Sequence, residues 1–210
     1  MIIVLIIIYL LMKFLNKDLD KDNNILTFNF YRSLMCFIIV LLSIIKISLN
    51  TSIILNPFNS DVINKYIIKL FLSYLFLDVV LIFYHEFRLD LLIHHLLAIL
   101  IYGYHYYYNQ NYNLFIILLL GELISIVSGF DKYYLSKKET NKSVWCKYLR
   151  KLIIIFIRIP LYLYSLLSIF YYYPLLDYLQ IYSGLVFIFC FFLLDNYWLN
   201  RCNEILNKYI

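Results

Sequence analysis

The chain has 210 residues, of which 64% are hydrophobic and 15% charged, with a mean hydropathy of +0.79. Soluble domains lie nearer half apolar and a quarter charged, so a water-soluble fold is excluded and lipid must solvate much of the surface. The net charge of +5 is no sign of nucleic acid, because the basic residues gather in polar stretches between apolar ones, where membrane topology accounts for them.

With 4 Gly and 3 Pro there is little turn punctuation, which favours helices over barrel hairpins. A spanning helix needs about 20 mostly apolar residues. In chain order the candidates lie near 1–15, 33–49, 66–84, 91–108, 114–130, 152–173 and 179–199. The first, apolar from Ile2 to Leu11, has no basic region before it and no small-residue cleavage site, so it reads as an uncleaved helix. The expected fold is all-α, a multi-pass transmembrane bundle of about seven helices. Residues 1–29 form the first helix and a charged loop, 30–199 a single membrane domain, and 200–210 a short cytoplasmic tail.

Lys and Arg set the expected orientation. With the N-terminus outside, the inner segments carry Lys13, Lys17, Lys21, Arg32, Arg88, the cluster from Lys132 to Lys151, Arg201 and Lys208. The outer ones hold Lys46, Lys65 and Lys69. The positive-inside rule then puts the C-terminus in the cytoplasm. Cys36, Cys146, Cys190 and Cys202 are scattered without ligand spacing. The 23 tyrosines suit interfacial anchoring and carry no functional weight.

Ionisable groups inside hydrocarbon are costly and demand a partner or a purpose. Asp78, His94, His95, Glu122 and Arg158 all fall within expected spans. At a rise of 1.5 Å per residue, Asp78 and Arg158 lie roughly 9 Å, the histidines roughly 5–6 Å and Glu122 roughly 12 Å from the cytoplasmic ends of their helices. Four helices thus place charge in one layer, the mark of a polar cavity open or nearly open to the cytoplasm. There Arg158 balances Asp78 or Glu122, and Asp90, one turn before His94, orients that ring. Adjacent histidines point about 100° apart on a helix and serve different neighbours. The alternative is a structural network of interhelical hydrogen bonds without chemistry. Asp195 reads as interfacial, His85 and His105 as solvated loop residues, and the cluster Lys137, Lys138, Lys142, Lys147, Arg150 and Lys151 as a topology signal able to attract anionic headgroups.

The ordered series carries a resemblance: Asp78 after Tyr74 and Leu77, then Leu92–Ile93–His94–His95, Gly121–Glu122–Leu123, and Arg158 within Ile155 to Ile159. It resembles the TLC domain of multi-pass membrane proteins, over roughly Phe30 to Trp198. The resemblance implies a six-helix core around a membrane cavity, a place in the endoplasmic reticulum or a related membrane, and membrane lipids as partners. In that family's ceramide synthases, which join a fatty acyl-CoA to a sphingoid base, the paired histidines are catalytic; here they would be His94 and His95. The longer synthase signature continues with a His-Asp and acidic cluster, whereas this chain has His105 among tyrosines and Glu122 as the one acid from Leu118 to Gly129. The chain therefore sits nearer the non-synthase members.

Two functions follow as expectations. The first is lipid binding, sensing or trafficking, with Asp78, Glu122 and Arg158 lining the cavity. The second is an acyl-CoA-dependent N-acyltransferase with a histidine as base or nucleophile. Neither calls for a cofactor or metal: di-iron membrane enzymes need several histidine boxes, and this chain has 4 His. An elongase-type box would want histidine at Leu91, and a retinal protein a lysine between Leu179 and Leu199. Paired Gly or Pro interruptions of the transporter kind are absent, although Pro160 can kink the sixth helix.

Overall fold

A computed structural model describes residues 1–15, 23–85 and 87–209. Among these residues all regular structure is helical, and its long elements are seven rods. They are α1 (Ile2–Leu15), α2 (Asn23–Leu49), α3 (Val62–His85), α4 (Leu89–Tyr107), α5 (Tyr112–Ser136), α6 (Thr140–Tyr171) and α7 (Tyr178–Leu206). Five of them, α2, α3, α5, α6 and α7, are long and apolar enough to cross a membrane. With its 14 residues, α1 reaches about 21 Å, short of a hydrocarbon core of about 30 Å. The 19 residues of α4 reach about 28 Å, but Asp90, His94, His95 and His105 dilute their apolarity.

Several rods begin or end beyond their apolar stretch, because backbone hydrogen bonding does not stop where lipid stops. The stretch from Lys132 to Lys151, expected as a loop, is helical except for 137–139. Asp131 ties the resulting α5–α6 hairpin together: Lys147 Nζ donates to its two oxygens at 2.7 and 2.8 Å, and Ser143 donates at 2.5 Å. Lys147 is thus a buried partner of Asp131, not only a topology signal. Likewise α2 starts at Asn23, ten residues before its expected start, and Arg32 becomes a buried helix residue, not a loop cation. Lys17 and Lys21 lie outside the described residues. The last rod opens on a capping box, in which Asp177 accepts from Gln180 N and the Gln180 side chain accepts from Asp177 N.

Apolar side chains face outward along the middle of the rods: Phe76, Val80, Phe83, Leu100, Phe156 and Leu167 are all more than half exposed. Inside, Met35, Ile39, Phe71, Leu75, Tyr102, Phe115, Phe187 and Phe191 share one core with buried Asp78, Glu122, Arg158 and Asp195. Apolar outside and charged at mid-depth is the pattern lipid solvation demands.

Two rods depart from α-helical winding at the same level. In α5 a 3₁₀ turn covers Leu119–Glu122, and in α6 a π turn covers Ile154–Arg158. Pro160 accounts for the second, since its ring would collide with the carbonyl four residues back in a tight helix. The kink expected there takes this form. A Cβ on Gly121 would lie 3.7 Å from Arg158 Cγ and Nε, so the two irregular turns face each other. Each ends on a charged residue, Glu122 and Arg158.

Glycines separate tight from open packing. A Cβ on Gly129 would fall 1.6 Å from Ser33 Oγ and 3.0 Å from the Asn29 carbonyl of α2, so small residues let α2 and α5 touch backbone to backbone. Gly129→Ala should destabilise by about 1–3 kcal/mol through overpacking. Gly103 in α4 meets nothing within 4 Å, and Gly103→Ala should stabilise by about 0.5–1 kcal/mol. Denaturation midpoints in mixed micelles check both; the same sign for both would refute this reading of the α2–α5 contact.

Candidate functional site

The five residues singled out from sequence do meet in one layer, but with different partners from those expected. On α4 the two imidazoles diverge, as the 100° step requires. His95 turns toward α3, with Nε2 at 2.7 Å from Asp78 Oδ2 and Nδ1 at 2.9 Å from the Leu91 carbonyl. Asp78 also holds Arg32 of α2, whose Nε lies 3.0 Å from the same Oδ2. His94 turns toward α5 and α7. Its Nε2 lies 3.5 Å from Glu122 Oε1, and its ring packs on Phe191 and Trp198 at centroid distances of 4.9 and 5.4 Å.

Donor and acceptor roles fix where one proton sits. The Leu91 carbonyl can only accept, so His95 Nδ1 carries a hydrogen. Its Nε2 then faces Asp78 Oδ2 at 2.7 Å, within ion-pair distance but outside hydrogen-bond geometry. Arg32 and Arg158 thus stand among Asp78, Glu122 and Asp195 in the layer, opposite charges that a low-dielectric interior requires to be close together.

Arg158 pairs with neither Asp78 nor Glu122. Its Nε lies 3.1 Å from Asp195 Oδ2 and donates to Tyr162 Oη at 3.2 Å, while Tyr162 donates to the same carboxylate at 2.6 Å. Asp195, expected at the interface, is 1% exposed. The physical reason is that α7 continues to Leu206, so Asp195 lies about 16 Å before its end. A signal existed in sequence: Phe187, Phe191, Asp195, Trp198 and Cys202 follow one helical stripe, and all are buried. Cys36 and Ser125 also join the site, the thiol directed at Glu122 Oε2 from 3.7 Å and the hydroxyl donating to it at 2.8 Å.

The expected cavity open to the cytoplasm is instead small. About 20 Å³, lined by Glu122, Arg158, Tyr102, Tyr162, Gly121 and Ala98 among others, holds about one water. A second cavity of similar size, reaching His105, Asn111 and Gln180, shares Leu118 and Phe187 with it. Asp78 is sealed behind its partners, 0% exposed, and His94 reaches the first cavity through Glu122. Four buried atoms of the layer have neither a hydrogen bond nor an ion pair: Asp78 Oδ1, His94 Nδ1, Arg158 Nη1 and Asp195 Oδ1. Such atoms mark where a site offers hydrogen bonds to something other than the protein. The histidines thus differ in kind. Both nitrogens of His95 face protein groups, whereas His94 keeps a free acceptor with Glu122 beside its other nitrogen, the arrangement of a base and its orienting group.

Other expectations are corrected in the same way. Asp90 does not touch His94; it accepts from Arg88 at 2.6 Å and from Trp198 Nε1 at 2.9 Å, and acts on His94 through the indole. His105 lies within α4, buried, with Nδ1 at 3.2 Å from Asn111 Nδ2. His85 ends α3, bonded to Tyr9 and stacked on Phe28. Among the described residues no three His, Cys, Asp or Glu side chains converge as a metal site. Comparison with protein-family models, curated proteins and solved structures finds no match to this chain.

Proposed function

We propose that the chain is a TLC-type integral membrane protein that recognises a membrane lipid at the His94–Glu122–Arg158–Asp195 centre. All seven rods would span, with the N-terminus outside and the C-terminus cytoplasmic, in the endoplasmic reticulum or a related membrane. One observation carries the reading: His94 Nδ1, Arg158 Nη1 and Asp195 Oδ1 are buried without protein partners in the part of the layer around Glu122. A purely structural network would satisfy its own members, since each orphaned atom costs about 1–3 kcal/mol. A lipid headgroup or the polar end of a long-chain base supplies donors and acceptors at that depth. The water-sized cavity then widens on binding, as the irregular turns ending at Glu122 and Arg158 permit.

Photo-crosslinking with a bifunctional sphingoid base tests this at matched protein levels. The native chain should capture the probe, and His94→Ala should lose most of the capture. His95→Ala should instead lower the amount of folded protein, because its imidazole serves Asp78. Equal capture by the native chain and His94→Ala would defeat the lipid-site reading.

The free Nδ1 of His94 favours one second reading, an acyl-CoA-dependent N-acyltransferase of the ceramide synthase type. The amine of the acceptor would attack the thioester carbonyl, Nδ1 would take the amine proton, and the CoA thiolate would leave. Lipid profiles of ceramide-synthase-deficient cells expressing the native chain or His94→Ala decide it. Ceramide made by the native chain alone establishes the enzyme; none from a well-inserted native chain removes it.

A further inference from the structure

At the end of the bundle opposite the Asp131–Lys147 clasp, α3 separates two openings of about 450 Å³ each. One is a polar pocket between the start of α3 and the α4–α5 turn, lined by Lys65, Lys69, Tyr106 and Asn109 among others. The other is an apolar groove between α2 and α3, lined by Leu42, Ile45, Leu49, Ile63, Ile67 and Leu70. Tyr66, an exposed residue, lines both. Helical winding produces this division. At 100° per residue, Lys65 and Lys69 fall within about 40° of each other, Tyr66 comes next, and Leu70, Ile63 and Ile67 follow around the rod.

The lysines of the pocket lack a counter-charge. Lys65 donates to the side-chain oxygen of Asn109 and lies over the Tyr106 ring at 5.3 Å, and both partners are neutral. Among the described residues, no hydrogen bond or ion pair reaches the Lys69 ammonium. Asp61, the carboxylate that lines the pocket, is held by Lys46 at 2.6 Å. Lys69 lies about 10 Å along α3 from its start, at a depth where an ammonium without a partner is costly. Like charges four residues apart on one helix also repel.

We infer that this end of the bundle binds an anionic membrane lipid, with its phosphate between Lys65 and Lys69 and an acyl chain in the groove beside Tyr66. A phosphate relieves the repulsion between the two ammonium groups and accepts hydrogen bonds from both. The Tyr66 hydroxyl is a further donor at the boundary. The adjoining groove is what commits the anion to a lipid: a polar pocket and an apolar groove that meet at one side chain match the head and tail of one molecule. Lys69 is about 14 Å from Asp78 along α3, and no residue of the His94–Glu122–Arg158–Asp195 centre lines either opening. The inference therefore does not rest on the reading of that centre.

Native mass spectrometry in maltoside micelles, which carry no phosphate, counts the lipid retained as phosphatidylglycerol or phosphatidylcholine is added. The native chain should retain phosphatidylglycerol saturably, at about a tenfold lower concentration than phosphatidylcholine requires. Lys65→Gln combined with Lys69→Gln should abolish that preference. Lys208→Gln, exposed at the other end of the bundle, should leave it unchanged. Glycerol phosphate, which has no acyl chain, should fail to displace the lipid at equal concentration. Displacement by it would make the site one for a soluble anion and overturn the lipid assignment. Equal retention of the two lipids by the native chain, an unchanged preference in the double variant, or an equal loss in Lys208→Gln overturns the proposal. If the double variant fails to fold, Lys69→Gln decides, since it breaks no contact within the protein. It should weaken the preference about fivefold, and an unaltered preference there overturns the proposal equally.

Discussion

Asp78→Ala should destabilise the protein by about 3–5 kcal/mol, the cost of leaving a buried charge unpaired. Asp78 is fully buried between Arg32 on α2 and His95 on α4, and its removal strands a guanidinium that cannot give up its proton. Arg32→Met should cost clearly less, roughly half. There the carboxyl group keeps His95 at 2.7 Å and, unlike a guanidinium, can be neutralised by taking up a proton. Unfolding of both variants by dodecyl sulfate in mixed micelles measures the asymmetry. Arg32→Met as damaging as Asp78→Ala would mean that the abandoned carboxyl group is no better off than the abandoned guanidinium.

Much of the site was legible before any coordinates, for a reason particular to membranes. Lipid makes a buried charge so costly that Asp78, His94, His95, Glu122 and Arg158 announce themselves by composition alone, and a fixed rise per residue places them at one depth. Their pairing was not legible. Arg32 and Asp195, the true partners of Asp78 and Arg158, were assigned to helix ends because apolar stretches mark where lipid begins, while α2 and α7 begin or end well beyond that. The same error hid the Asp131–Lys147 clasp inside a supposed loop. Pairing is also a property of helix rotation and tilt, which packing sets, and no count along the chain supplies either. The two irregular turns were half legible: Pro160 signals strain in α6, but nothing in Leu119–Glu122 beyond Gly121 signals a 3₁₀ turn.

The Arg158–Asp195 pair separates a structural network from a working site. Asp195→Leu leaves Arg158 buried with the Tyr162 hydroxyl and the Trp198 ring but without its ion-pair partner, and should cost about 3–5 kcal/mol. Arg158→Met should cost less, since an abandoned carboxyl group can take a proton where an abandoned guanidinium cannot lose one. The double variant, Arg158→Met with Asp195→Leu, should return to within about 1 kcal/mol of the native chain or exceed it, because well-packed apolar replacements of buried ion pairs are often neutral or stabilising. Nature's retention of a costly pair that a simple apolar one could replace then calls for a functional reason. Arg158 Nη1 and Asp195 Oδ1, unpartnered in the interior, are the atoms that the proposed lipid group would engage. The double variant should therefore be well folded and yet lose capture of the sphingoid-base probe. If it folds and still captures the probe at the native level, the pair is interhelical glue, and the recognition chemistry contracts to His94 and Glu122.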